Sequence, residues 1–147
     1  MLDKDVITRL VRESIIIKST IVKRDETERG ERKKLNFGHT FGHAIEKTDG
    51  LPHGEAVSIG MAVAANFSVR EGLLPKADAD RLLRLIKNMK LPVCLNVNND
   101  KIVEALQKDK KKDGENIHFV FLNDIGSCVI REISIGSIPV AELMANA

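Results

Sequence analysis

The chain has 147 residues, of which 43% are hydrophobic and 30% charged, and it carries a formal net charge of +2. That length suffices for about one domain with a sizeable core and no disulfide or metal staples. No apolar run approaches the roughly 20 residues of a membrane span, and the small net charge, with 3% aromatic residues and neither Trp nor Tyr, argues against nucleic acid as a partner.

The opening MLDKDVITRL puts acids where a secretory leader has a basic region, so export gains no support. Residues 4 to about 20 place Val6, Ile7, Leu10, Val11 and Ile15 on one face of a predicted helix. The charged run Lys23 to Lys34 lacks this pattern and reads as a loop. Helical spacing returns from Asn36 to Thr48 and stops at Asp49-Gly50. Pro52 then precedes a second long helix, His53 to about Glu71, whose stretch from Ala56 to Ala65 is apolar on most sides and rich in small residues, as a deeply buried helix is.

Gly72 and Pro75 punctuate the chain before an amphipathic helix over about Lys76 to Lys90, with Leu82, Leu83, Leu85, Ile86 and Met89 as core candidates and Pro92 beyond its end. A shorter helix is expected from Asp100 to Gln107. After the cluster Lys108, Lys110, Lys111, Lys112, which is either a solvated loop or an anion site, two strands, Ile117 to Leu122 and Cys128 to Ile133, flank Asn123-Asp124-Ile125-Gly126 as one β-hairpin. Val140 to Met144 adds a last helical turn. The two cysteines, Cys94 and Cys128, are expected as buried small hydrophobes of a reducing cytoplasm. The expected fold class is mainly α, a helical domain with one small hairpin.

Three of the four histidines, His39, His43 and His53, fall within fifteen residues, while His118 lies in the hairpin. His39 and His43 are four apart and share a helical face, a spacing that lets two imidazoles chelate one zinc ion, and His53 at the next helix start is placed to close the site. The competing reading is three separate, hydrogen-bonded histidines. Arg32, Asn36 and Glu46 lie close by in sequence, and Gly38, Gly42 and Gly54 allow backbone or ligand to approach. Arg32, Lys18 and Lys110 offer a guanidinium fork and two point charges for a carboxylate or phosphate, unless they are merely solvated.

The run from Arg32 to Glu46, RKKLNFGHTFGHAIE, followed by His53-Gly54-Glu55-Ala56-Val57 and Gly60-Met61, resembles 3-dehydroquinate synthase. Lys18, the acidic stretch Asp25 to Glu28 and Asp109-Lys110-Lys111 also match the family's pattern. The resemblance implies an NAD- and metal-dependent lyase, with zinc or cobalt. It would convert a seven-carbon keto sugar acid phosphate, 3-deoxy-D-arabino-heptulosonate 7-phosphate, to 3-dehydroquinate in the shikimate route to aromatic compounds.

By this resemblance His39 and His53 are metal ligands, and His43 is a proton relay on the substrate side rather than the second member of a chelate. Lys18, Arg32, Asn36 and Lys110 would hold the substrate's carboxylate and phosphate. The resemblance also implies that residues 1–147 form a single C-terminal helical domain, without the family's NAD-binding N-terminal domain and the segment carrying a Glu metal ligand, so that this chain alone would be inactive. It further points to self-association. Two alternatives remain: another sugar phosphate cyclase such as 2-deoxy-scyllo-inosose synthase, or a polyol dehydrogenase, and a non-catalytic remnant.

Overall fold

The computed structural model describes residues 3–94, 101–102, 104–106 and 116–145. They divide into two compact units, Met1–Leu35 and Asn36–Ala147.

The first unit is built on helix α1, Lys4–Arg24. Asp3 caps its N-terminus by accepting a hydrogen bond from the Asp5 amide at 2.8 Å, and Lys23 and Arg24 complement the dipole at the other end. The helix runs past the expected end at about residue 20, because Ile21 and Val22 extend the apolar pattern. The expected face is present but bare: none of its residues is buried, and Val6 and Ile15 are 63% and 60% exposed. The charged run that follows is not wholly irregular. It closes into a 3-10 helix over Glu31–Asn36.

The second unit holds the core. Helix α2 spans His39–Asp49 and helix α3 spans His53–Arg70. Helicity in α2 begins three residues later than expected, since Gly38 takes a left-handed conformation, φ +81°, at the N-cap. That turn allows α2 to press against α3: a Cβ on Gly38 would meet the Met61 backbone nitrogen at 2.7 Å, and one on Gly42 would meet the Val57 Cα at 3.0 Å. Gly38 and Gly42 thus serve helix packing, whereas a Cβ on Gly54 would meet nothing within 4 Å.

Helix α3 is the hub, with Ala56, Ile59, Val63, Ala64 and Phe67 all in the main core. Helix α4, Lys76–Asn88, packs on it through Ala79 and Ile86, while the candidate Leu85 turns outward and is 53% exposed. Leu85 falls on the solvent side because the helix needs only one stripe against α3.

Strands β1, Asn116–Asp124, and β2, Ser127–Ser134, form the expected antiparallel hairpin, with Phe121 opposite Val129. Phe119 and Phe121 stack against Phe67, with ring centroids 5.4 and 5.0 Å away. Ser68 pins the hairpin down, donating to the Ala64 carbonyl and accepting from the Leu122 amide at 3.0 Å. The closing helix α5, Val140–Ala145, ties back to α3 through an Arg70–Glu142 ion pair.

Residues 101–102 and 104–106 are helical, as expected, with Ile102 and Leu106 in the core. The rest of that predicted helix and the lysine cluster 108–112 lie outside the described residues. Of the cysteines, Cys94 is exposed rather than buried, because it follows the α4 turn at the surface, and Cys128 is half-buried. No helix among the described residues is long and apolar enough to cross a membrane.

Candidate metal centre

The α-helical period puts His39, His43 and Glu46 on one stripe of α2, at spacings of four and three. The Asp49-Gly50 stop then turns the chain through three residues, Gly50 with φ +64°, so that Pro52 can open α3 with His53 as its first helical residue. The turn brings His53 back beside the stripe. The result is a near-equilateral set of imidazoles, with ring centroids 5.5 Å apart for His39 and His43, 5.6 Å for His39 and His53, and 5.7 Å for His43 and His53.

Glu46 lies between two of them. Its Oε2 is 3.1 Å from Nδ1 of His53 and 3.6 Å from Nδ1 of His43. The hydrogen bond from His53, reinforced by the charge interaction with both imidazoles, holds the Glu46 carboxyl below its ordinary range. One donor atom from each of His43, Glu46 and His53 lies within 4.8 Å of the others. This donor set, two imidazole nitrogens and an ionised oxygen about half exposed to solvent, fits a divalent cation of the zinc or cobalt kind. His39 contributes a third ring whose Nδ1 faces the Phe37 carbonyl oxygen at 3.3 Å, the kind of contact that orients a ligand imidazole.

The remaining predicted residues are distributed unevenly. Asn36 is exposed at the end of the 3-10 helix, three residues before His39. Arg32 and Lys18 belong to the first unit. Lys18 lies exposed on α1, and Arg32 donates from Nη1 to the Glu26 carbonyl at 2.8 Å while its Nε faces Glu28 at 3.7 Å. Lys110 lies outside the described residues. His118 is an exposed residue of β1.

Sequence reasoning placed Asp25 in an acidic stretch that matches the family's pattern but did not foresee its part in the loop. Its carboxylate accepts from the backbone amides of Arg29, Gly30 and Arg32 at 3.1, 2.8 and 3.0 Å, so it shapes the loop that carries Arg32. The Arg32 and Gly30 amides hold its carboxyl below the ordinary range. An Asp directly after a helix end, followed at short range by glycine, is the signal that marks such a turn.

Comparison with known proteins identifies the family. A family model described as the 3-dehydroquinate synthase C-terminal domain matches residues 1–112. The 3-dehydroquinate synthase of Campylobacter concisus is 41% identical over 134 residues, 88% of this chain and 39% of its own length. That of Dehalococcoides mccartyi is 44% identical over 131 residues, 87% of this chain and 36% of its own. Among solved structures, a 2-epi-5-epi-valiolone synthase from Streptomyces hygroscopicus with NAD+ and Zn2+ bound superposes with a TM-score of 0.76 at 26% identity, covering 95% of this chain and 38% of its own. A 2-deoxy-scyllo-inosose synthase complexed with carbaglucose-6-phosphate, NAD+ and Co2+ shares the fold, with a TM-score of 0.73 at 24% identity, over 87% of this chain and 39% of its own. The chain spans a little over a third of the length of the curated relatives it matches. From the glycine-packed helix pair to the histidine cluster it carries, this chain belongs to the 3-dehydroquinate synthase family and corresponds to its C-terminal part.

Proposed function

We propose that this chain supplies the metal- and substrate-binding part of a 3-dehydroquinate synthase, the cytoplasmic lyase that releases phosphate from 3-deoxy-D-arabino-heptulosonate 7-phosphate and forms 3-dehydroquinate. Residues 1–147 act as one C-terminal domain, and NAD is bound mainly by residues outside it. The observation that carries the reading is the convergence of His39, His43 and His53, with ring centroids 5.5 to 5.7 Å apart, and with Glu46 between His43 and His53.

In this reading His39 and His53 would hold the metal, which when bound would supply polarisation of a substrate hydroxyl during its oxidation by NAD. His43 is the imidazole proposed to take and return that hydroxyl's proton. Arg32 offers a planar fork suited to a carboxylate, Asn36 a neutral amide, and Lys18 and Lys110 point charges for phosphate. Holding both ends of the substrate fixes the ring carbon for hydride transfer. The exposed apolar face of α1 supports a homo-oligomer. A related sugar phosphate cyclase activity is the alternative, favoured by the fold shared with the valiolone and inosose synthases; the higher identity to 3-dehydroquinate synthases weighs against it.

Calorimetric titration of the metal-stripped chain with zinc tests the reading. One-to-one binding that is lost in His39→Ala and His53→Ala but kept in His43→Ala is expected. Equal loss in His43→Ala would replace the His39/His53 pair by a chelate that includes His43, and the absence of binding in the parent chain would sink the metal assignment for this chain.

A further inference from the structure

The carboxylate of Glu46 touches the site from the side, and its geometry says more than that an acid is nearby. Glu46 follows His43 by one helical turn and faces across the Gly50–Pro52 turn to the first residue of α3. An ionised carboxylate can only accept hydrogen bonds. A neutral His53 with Nδ1 3.1 Å from Oε2 therefore carries its proton on Nδ1, and its lone pair is left on Nε2. His43 presents the same nitrogen to the same oxygen at 3.6 Å, beyond a good hydrogen bond and close enough for charge to orient the ring.

We propose that Glu46 is a positioning residue, which fixes His53 in the Nδ1–H tautomer so that Nε2 is the atom offered to a divalent cation, and which aligns His43 beside it through the same carboxylate oxygen. The inference rests on the metal-centre reading above for its consequence, though not for the tautomer itself. One acid thus links the ligand imidazole on α3 to the proton-transfer imidazole on α2. A ligating histidine held by a carboxylate is more basic and better aimed than one held by water. The competing geometry is direct ligation, with Oε2 and the Nδ1 atoms bound to one ion, since one donor atom from each of His43, Glu46 and His53 already lies within 4.8 Å of the others.

The test is a two-bond proton–nitrogen correlation spectrum of the full chain labelled with 15N-histidine, without metal, at a pH where the imidazoles are neutral. His53 should show the Nδ1–H tautomer. Substitution Glu46→Ala should abolish that preference and weaken zinc binding by about 10- to 100-fold at unchanged one-to-one stoichiometry, with Glu46→Gln between the two. A parent chain whose His53 carries its proton on Nε2 would overturn the proposal without recourse to any variant. So would one-bond coupling of bound cadmium to His53 Nδ1, which would mean direct ligation, or an unchanged affinity in a folded Glu46→Ala. If the parent binds no zinc at all, the metal-centre reading fails, while the tautomer spectrum still decides the role of Glu46.

Discussion

Gly60 and Gly38 meet backbone to backbone: a Cβ on Gly60 would lie 2.0 Å from the Gly38 carbonyl oxygen and 2.8 Å from the Gly42 amide nitrogen. The same carbonyl accepts the Gly42 amide at 2.9 Å, so the contact sits at the base of the turn that launches His39 and His43. Nothing flexible can give way there. Gly60→Ala is expected to cost more than the usual ~1–3 kcal/mol of overpacking and, where the chain still folds, to weaken zinc binding by displacing α2. Thermal denaturation alongside zinc calorimetry checks both; wild-type values in each would show that the two helices can part without harm.

Ser68 is fully buried and holds the hairpin to α3. Ser68→Ala should destabilise the fold by about 1–3 kcal/mol, since the partly buried Leu122 amide loses its side-chain acceptor, while zinc affinity at the other end of α3 stays as it was. Denaturant unfolding with a parallel zinc titration separates the two effects.

The Asp25 carboxyl, held low by the Arg32 and Gly30 amides, stabilises the loop only while ionised. Its folded pKa lies below its unfolded one, so its contribution is complete above about pH 4 and disappears as pH falls through the folded value. Protection of the Arg29, Gly30 and Arg32 amides relative to their intrinsic exchange rates should fall in Asp25→Asn at neutral pH, and in the parent only under acid. A parent loop equally open at neutral pH would refute this.

The apolar face of α1, with Ile7, Leu10 and Ile17 all exposed, should drive self-association of the isolated chain. Light scattering is expected to give a mass above the 16.3 kDa monomer, and Ile7→Glu with Ile17→Glu should shift it towards the monomer. A monodisperse parent monomer would contradict the proposal.

The elements that periodicity governs were legible in the sequence. Helix α3 announced itself by His53 after Pro52 and by its run of small apolar residues, and the hairpin by Asp124 to Gly126 between two apolar strands. Boundaries set by tertiary contact were not. The delayed start of α2 depends on Gly38 meeting Met61, a partner 23 positions away whose approach no local pattern encodes. The histidines could be gathered by spacing alone, but the position of Glu46 between His43 and His53 needed the turn geometry at Gly50. The loop around Arg32 is organised by backbone amides pointing at Asp25; Asp25 and Gly30 mark a turn in the sequence, but which amides the carboxylate gathers is set only by the folded loop.

The short turn between α2 and α3 bears on how the centre assembles. His39, His43, Glu46 and His53 all lie between residues 39 and 53, and three residues join the two helices, so little chain entropy is spent in bringing the imidazoles together. Such a site forms among the earliest and most local contacts of the folding chain and does not wait for the hairpin, whose pairing with α3 closes a loop of some fifty residues. An ion captured there would act as a nucleus, protecting α2 and the start of α3 against opening before the distant strands have docked.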